Sequence, residues 1–377
     1  MKKVLRPSTL KVRFVSESEH KNLNIIVVAL QVGYKITKMS IPTRPNLSTA
    51  GTLDQAIGQT PLIELSSLSK LTGCRIFGKA EFLNPGGSVK DRTALGIIQE
   101  AEDSDALRPG MRLYEGTAGN TGIGLATFAA SKGYPCTIVM PNNQSIEKYQ
   151  ALEALGVELI KVAPVPFANP KHFYHTAKAL SEKDPKGYWA NQFENLANFN
   201  AHYKTTGPEV WQQSQSKIDI FATASGTGGT IAGVSTFLKE VSPKTQVVLV
   251  DPIGSGLYSW FHHNEIKAEG SSITEGIGIM RITKNMEKAK LDDAIQVNDQ
   301  QMISMLYHLA QHEGLLVGPS SALNVYGAYT LARKNQNSGK TLVTILCDSA
   351  LRYQSRIFNS QWLREKQLIV GPLKEGK

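Results

Sequence analysis

One lysine amine sits where the sequence prepares covalent chemistry. Lys90 lies in the segment Asn84-Pro85-Gly86-Gly87-Ser88-Val89-Lys90-Asp91-Arg92, where Pro85, Gly86 and Gly87 make a turn and Ser88 is placed to cap a helix. Taken alone, a lysine in a first helical turn is an ordinary solvated side chain at the unfavourable end of the helix dipole. Two further turns change that reading. Thr117-Ala118-Gly119-Asn120-Thr121-Gly122 follows a strand-like run and opens a helix of small residues, so it offers N–H groups, threonine hydroxyls and the Asn120 amide to an anion. Gly226-Thr227-Gly228-Gly229-Thr230 also lies between a strand-like run and a helix, and its free amides form a cradle for a phosphate dianion. The cradle has no Walker lysine and no acidic residue at dinucleotide spacing, which speaks against a nucleotide. A ligand with both an aldehyde for the amine and a phosphate for the cradle is pyridoxal phosphate.

The elements that must hold these turns alternate from residue 88 onward. Helix 88–106, strand 111–116, helix 121–132, strand 136–140, helix 145–155, strand 157–162 and a helix over 170–183 read as one βαβ series. Helix 198–213, strand 218–225, helix 230–240, strand 246–250, helices 299–312 and 320–334 and strand 341–347 read as a second, with Asp299 as an N-cap. Strand 75–82 precedes both. The glycine-rich stretch between 250 and 299 is too irregular for core and reads as a wall and entrance of the site. The fold class is therefore α/β, with two lobes, each a twisted, mostly parallel sheet flanked by helices, and the cofactor between them. The expected division is a basic extension at 1–50, a larger phosphate-binding lobe at 51–83 and 190–368, a smaller mobile lobe at 84–189, and a tail at 369–377.

Charge and cysteine usage narrow the class. The net charge of +9 is concentrated at the start, where residues 1–50 hold nine Lys or Arg against two Glu. The remaining chain carries only +2, so the body is not a nucleic-acid-binding surface. The basic head reads as a tail, an organelle presequence or an anion-binding arm, and its apolar run 25–32 is too short to span a bilayer. No transmembrane segment is expected. Cys74, Cys136 and Cys347 have no paired spacing and read as buried thiols in a reducing compartment. Cytoplasmic placement follows, or a mitochondrial one if the head is a presequence.

With these pieces in order, the chain resembles the cysteine synthase and cystathionine β-synthase family of pyridoxal phosphate enzymes, over about 51–368. The resemblance rests on Gln59-Thr60-Pro61-Leu62, the segment 84–92, Ala118 to Gly122, Gly226 to Thr230, Glu275-Gly276-Ile277-Gly278, and Glu313-Gly314 through Gly318-Pro319-Ser320-Ser321. It implies that Lys90 is the Schiff-base lysine and later the base at the substrate α-carbon. It implies that Asn120 meets the cofactor's ring hydroxyl, that Gly226, Thr227, Gly228, Gly229 and Thr230 hold its phosphate, and that Ser320 meets its pyridine nitrogen. A hydroxyl there, rather than a carboxylate, favours elimination over transamination. Thr117, Gly119, Thr121, Gln192 and Gly276 are implied as substrate contacts, and a homodimer as the assembly.

The reaction so implied is β-replacement, forming L-cysteine from O-acetyl-L-serine and sulfide through an aminoacrylate. Cysteine desulfhydrase, cystathionine β-synthase and serine or threonine dehydratase remain as alternatives, since Ala118 stands where cysteine synthases usually carry serine. A non-catalytic binding role is the reading from another class, and the intact lysine weighs against it. The pairs His172/His175 and His262/His263 lack a third ligand, so no metal site is expected. Tyr34, Trp189, Trp211 and Trp260 read as core or wall. Arg352 and Arg356 are spaced for one helical face, either paired with carboxylates at a lobe interface or solvated.

Overall fold

The computed structural model describes residues 51–373. Ten strands are present among them: β1 (Leu62–Glu64), β2 (Arg75–Ala80), β3 (Arg112–Gly116), β4 (Cys136–Pro141), β5 (Glu158–Val162), β6 (Gly187–Trp189), β7 (Ile220–Thr223), β8 (Gln246–Pro252), β9 (Asp293–Val297) and β10 (Thr341–Leu346). They form a six-stranded sheet in the order β1-β2-β10-β7-β8-β9 and a four-stranded sheet in the order β5-β4-β3-β6. Every pairing is parallel except β1 with β2 at one edge.

Parallel strands covered on both faces must be apolar throughout, and here successive residues divide between two cores. Ile220 and Ala222, Val248 and Val250, and Leu342 and Leu346 face one side, against the helix Pro319–Lys334. Phe221, Val247, Leu249, Val343 and Ile345 face the other, against Ile231, Val234 and Leu238 of the helix Gly229–Val241. The smaller sheet has its own core, where Leu113, Ile138 and Met140 meet Ile97 and Ile98 of the helix Lys90–Asp103 and Leu125 and Phe128 of the helix Asn120–Lys132. Each such side chain contributes about 1.5–3 kcal/mol on burial.

Several expectations need correction. The stretch between 250 and 299 is not all wall: it holds the helix Leu257–His263 and the edge strand β9, which pairs with β8. Strand β6, only three residues long, went unseen because Gly187 and two aromatics carry no alternation. The helices Ser66–Thr72 and Ser360–Glu365 were also unpredicted. Asn298, not Asp299, is the N-cap: it forms a capping box with Gln301, while the Asp299 carboxylate accepts from Ser272 Oγ at 2.6 Å and Ile273 N at 2.9 Å. Arg352 ends a 3-10 turn, Ala350–Arg352, so Arg352 and Arg356 share no helical face. Tyr34 and the basic head lie outside the described residues.

Candidate active site

The strand ends converge on a cavity of about 430 Å³. Of the residues expected in the site, Lys90, Thr117, Gly119, Asn120, Thr121, Gln192, Gly226, Thr227, Gly276 and Ser320 line it, whereas Gly228, Gly229 and Thr230 do not. Those last three begin the helix that points its N-terminus toward Gly226 and Thr227.

Lys90 is the first residue of its helix, whose N-cap is Val89 and not the expected Ser88; the Ser88 hydroxyl lies one residue too early and instead accepts from the Lys90 backbone N–H at 3.2 Å. Among the described residues no hydrogen bond or ion pair engages its Nζ. Burial pushes the amine below its ordinary value, opposed by charge at Cys347 and Asp348. The helix is anchored two residues on, where Arg92 pairs with Glu81 at 2.7 Å and Glu209 at 2.6 Å. Glu209 also takes Lys79 at 2.6 Å, and despite burial these two cations hold its carboxyl down to about 2. Gly124 lets the neighbouring helix approach, since a Cβ there would stand 3.1 Å from the Lys90 carbonyl oxygen.

The cradle is built by close approach. Gly228 has φ +90°, and a Cβ on it would lie 2.6 Å from Met286 N and 2.7 Å from its Cα. No side chain caps the helix that follows, which leaves its first amides for an anion. The threonine hydroxyls are oriented from behind. Asn198 Nδ2 donates to Thr227 Oγ1 at 2.9 Å, and Thr230 Oγ1 meets His202 Nε2 at 3.2 Å. His202 is fully buried, which holds it well below its ordinary value and so neutral.

Asn120 is fixed at both ends. Its Nδ2 donates to Asp348 Oδ2 at 2.6 Å, and its Oδ1 accepts from Arg352 Nη1 at 2.5 Å. Arg352 also donates to the Gly86 carbonyl, and Tyr353 Oη donates to Asp348 at 2.6 Å. Ser320 lies beside the Cys347 thiol, which burial pushes up to about 12. In the clamp loop, Thr121 Oγ1 donates to Gln192 Oε1, while Gln192 Nε2 donates to Glu115 Oε1 at 3.1 Å and the Gly116 carbonyl at 3.3 Å. Both Gln192 amide hydrogens and the one Thr121 hydroxyl hydrogen are therefore spent within the protein, and the Gly119 N–H goes to Thr117 Oγ1 at 3.1 Å, leaving the Thr117 hydroxyl and the other backbone amides as the clamp's donors.

Sequence reasoning missed Glu115, Asn198, His202, Asp348 and the placement of Arg352, all of which act on the expected residues from behind. Asp348 and Arg352 had one available signal, the polar ending Cys347 to Arg356, which follows the last strand of the larger sheet. Cys347 lines the cavity rather than the core, and Cys74 and Cys136 are buried free thiols.

The residues fit pyridoxal phosphate: an unpaired amine, a cradle that tolerates no side chain at Gly228, and a fixed amide and hydroxyl lie around one cavity. Residues 53–348 match the family described as "Pyridoxal-phosphate dependent enzyme". Cysteine synthase 1 of Neurospora crassa is 49% identical over 84% of this chain and 85% of its own length. The cysteine synthase of Dictyostelium discoideum is 45% identical over 85% of this chain and 87% of its own. A hydrogen sulfide-producing enzyme of Fusobacterium nucleatum superposes with a TM-score of 0.76 at 32% identity, covering 81% of this chain and all of that one. A lysine, a cradle and a clamp placed in this order on two parallel sheets, with relatives of this closeness over most of the chain, make it a member of the pyridoxal-phosphate dependent enzyme family, of the cysteine synthase and cystathionine β-synthase kind.

Proposed function

We propose that this protein forms L-cysteine from O-acetyl-L-serine and sulfide by β-replacement. The observation that carries the reading is the unpartnered Lys90 amine in a cavity shared with the Thr117–Thr121 loop and the Gly226–Thr227 turn. When bound, pyridoxal phosphate supplies an electron sink for cleavage at the substrate α-carbon. The protein supplies the rest. Burial lowers the Lys90 Nζ below its ordinary value and so favours its uncharged, nucleophilic form, which once released takes the α-proton. The Thr117 hydroxyl and the amides of its loop orient the substrate carboxylate, with Thr121 holding Gln192 in place behind them. The Gly226 to Thr230 turn would hold the phosphate, Asn120 would orient the ring, and the Ser320 hydroxyl would be the partner for the ring nitrogen, a neutral group that would not fix a proton there.

Product analysis with O-acetylserine plus sulfide, beside cysteine alone, tests this. Cysteine formation that disappears in Lys90→Ala, together with the visible absorbance of the lysine-bound cofactor, is the expected result. Sulfide and pyruvate from cysteine alone, with no synthesis, would replace it with a desulfhydrase. That second reading is favoured by the likeness to a hydrogen sulfide-producing enzyme. A homodimer and a cytoplasmic location, or a mitochondrial one through the basic head, belong to the same proposal. Light scattering of the purified protein and imaging of a fusion with and without residues 1–50 test them.

A further inference from the structure

We propose that the Glu194–Arg281 pair, caged by Phe167, Tyr174 and Phe193, sets the choice of nucleophile: it keeps net positive charge out of the cavity wall, so that sulfide is accepted and thiols bearing a carboxylate are turned away. This rests on the β-replacement reading above and names the chemistry of its second substrate.

One wall of the cavity is aromatic, with Phe167, Tyr174 and Phe193 in its lining, and its cation is neutralised on the spot. Arg281 pairs through Nη1 with Glu194, whose second oxygen accepts from Lys284 N at 3.0 Å. Its guanidinium lies over the rings of Phe167 at 4.3 Å, Phe193 at 5.0 Å and Tyr174 at 5.2 Å. Its Nη2 is buried without a hydrogen-bond partner.

The lining carries three other basic side chains. Lys90 is the reacting amine. Lys148 is paired with Glu275 at 2.6 Å. His172 caps the helix Phe173–Lys183 by accepting from Tyr174 N, and burial, His175 and Arg281 hold it down to about 4, so it is neutral near pH 7. Beyond the clamp for the first substrate's carboxylate, no uncompensated cation faces the cavity among the described residues. Hydrogen sulfide can enter such a wall as a small neutral molecule. A carboxylate near pH 7 would have to give up its water for ring faces, which disfavours its entry.

The test measures binding apart from turnover. The holoenzyme is titrated calorimetrically with (methylthio)acetate, an unreactive thioether carboxylate. Glu194→Gln keeps the shape and an acceptor oxygen but leaves Arg281 uncompensated, so it should tighten binding about tenfold. Adding Arg281→Met should abolish the gain, and Arg281→Met alone should weaken binding below the wild-type level. With mercaptoacetate against sulfide as nucleophile, the ratio of kcat/KM values should rise in Glu194→Gln by a similar factor. Wild-type binding as tight as that of Glu194→Gln, or a gain that survives loss of Arg281, overturns the inference. If Glu194→Gln does not fold, Arg281→Met decides alone, and unchanged or tighter binding by it overturns the inference. Intact cysteine synthesis without the binding shift sinks this inference only, whereas the shift without any synthesis sinks the β-replacement reading and leaves the charge-exclusion role standing.

Discussion

Glu115 shows how a residue outside the reaction shapes it. It is the penultimate residue of β3 and buried, and burial pushes its carboxyl up to about 8 although Gln192 donates to it. A carboxyl raised in the folded state binds a proton that the unfolded chain has already lost. Stability should therefore fall as pH rises from the ordinary carboxylate range toward 8, with the full loss present above 8. Asp91, raised to about 7 mainly by burial, acts in the same direction. Glu115→Gln removes one of these two terms. Relative to wild type, the variant should gain on the order of 2 kcal/mol between pH 5.5 and 8.5. Urea unfolding at several pH values checks this, and a parallel slope in both proteins would mean that Glu115 does not titrate in that window. The substitution should also raise KM for the amino-acid substrate, because a second amide at 115 disturbs the hydrogen bonds that orient Gln192.

At the scale of elements, the cradle depends on backbone rather than side chains. Gly228→Ala forces a residue with a Cβ into left-handed backbone, at about 1–2 kcal/mol, and drives that Cβ into Met286. The cofactor's affinity should fall about tenfold or more while the far-ultraviolet spectrum is retained, and a cofactor titration followed by absorbance reads it. The start of the Lys90 helix depends instead on buried charge. Arg92→Leu would leave Glu81 buried with no cation of its own and should cost about 3–5 kcal/mol in a urea titration. These elements were legible because their signals are local: glycines at strand ends, a small-residue helix, and a proline turn before Lys90. The parts that were not legible have no such signal. β6 is too short for a period to register, β9 follows a long irregular stretch, and the aromatic cage draws Phe167, Phe193 and Arg281 from segments far apart in sequence.

For the molecule as a whole, alternating strands and helices implied two parallel sheets, but the contacts across the cavity depend on side-chain reach that no periodicity encodes. Glu275 is the clearest case. It receives Lys148 Nζ at 2.6 Å and Ser145 Oγ at 3.2 Å from the side of the smaller sheet, and Arg356 Nη1 at 2.6 Å from the chain beyond β10. Lys148 is 1% exposed and lies over the Tyr353 ring at 4.5 Å, so Glu275 is its main compensation. Burial already lowers the Lys148 amine, and the Glu275 carboxylate is the largest influence opposing that shift. Removing the carboxylate in Glu275→Ala lowers the folded-state value further while the unfolded one is unchanged. The folded variant then binds fewer protons than the unfolded chain over a wider range, and its stability should climb with pH more steeply than the wild type's. The deficit should be about 3–5 kcal/mol near pH 7 and should shrink as pH rises toward the ordinary lysine range. Glu275→Ala/Lys148→Met, which removes both charges, should recover much of the loss at pH 7 and show no such convergence. Equal deficits at pH 7 and pH 9.5 in the single variant would place the cost in lost packing and in Arg356, and would remove Lys148 as the charge that needs Glu275 across the cavity.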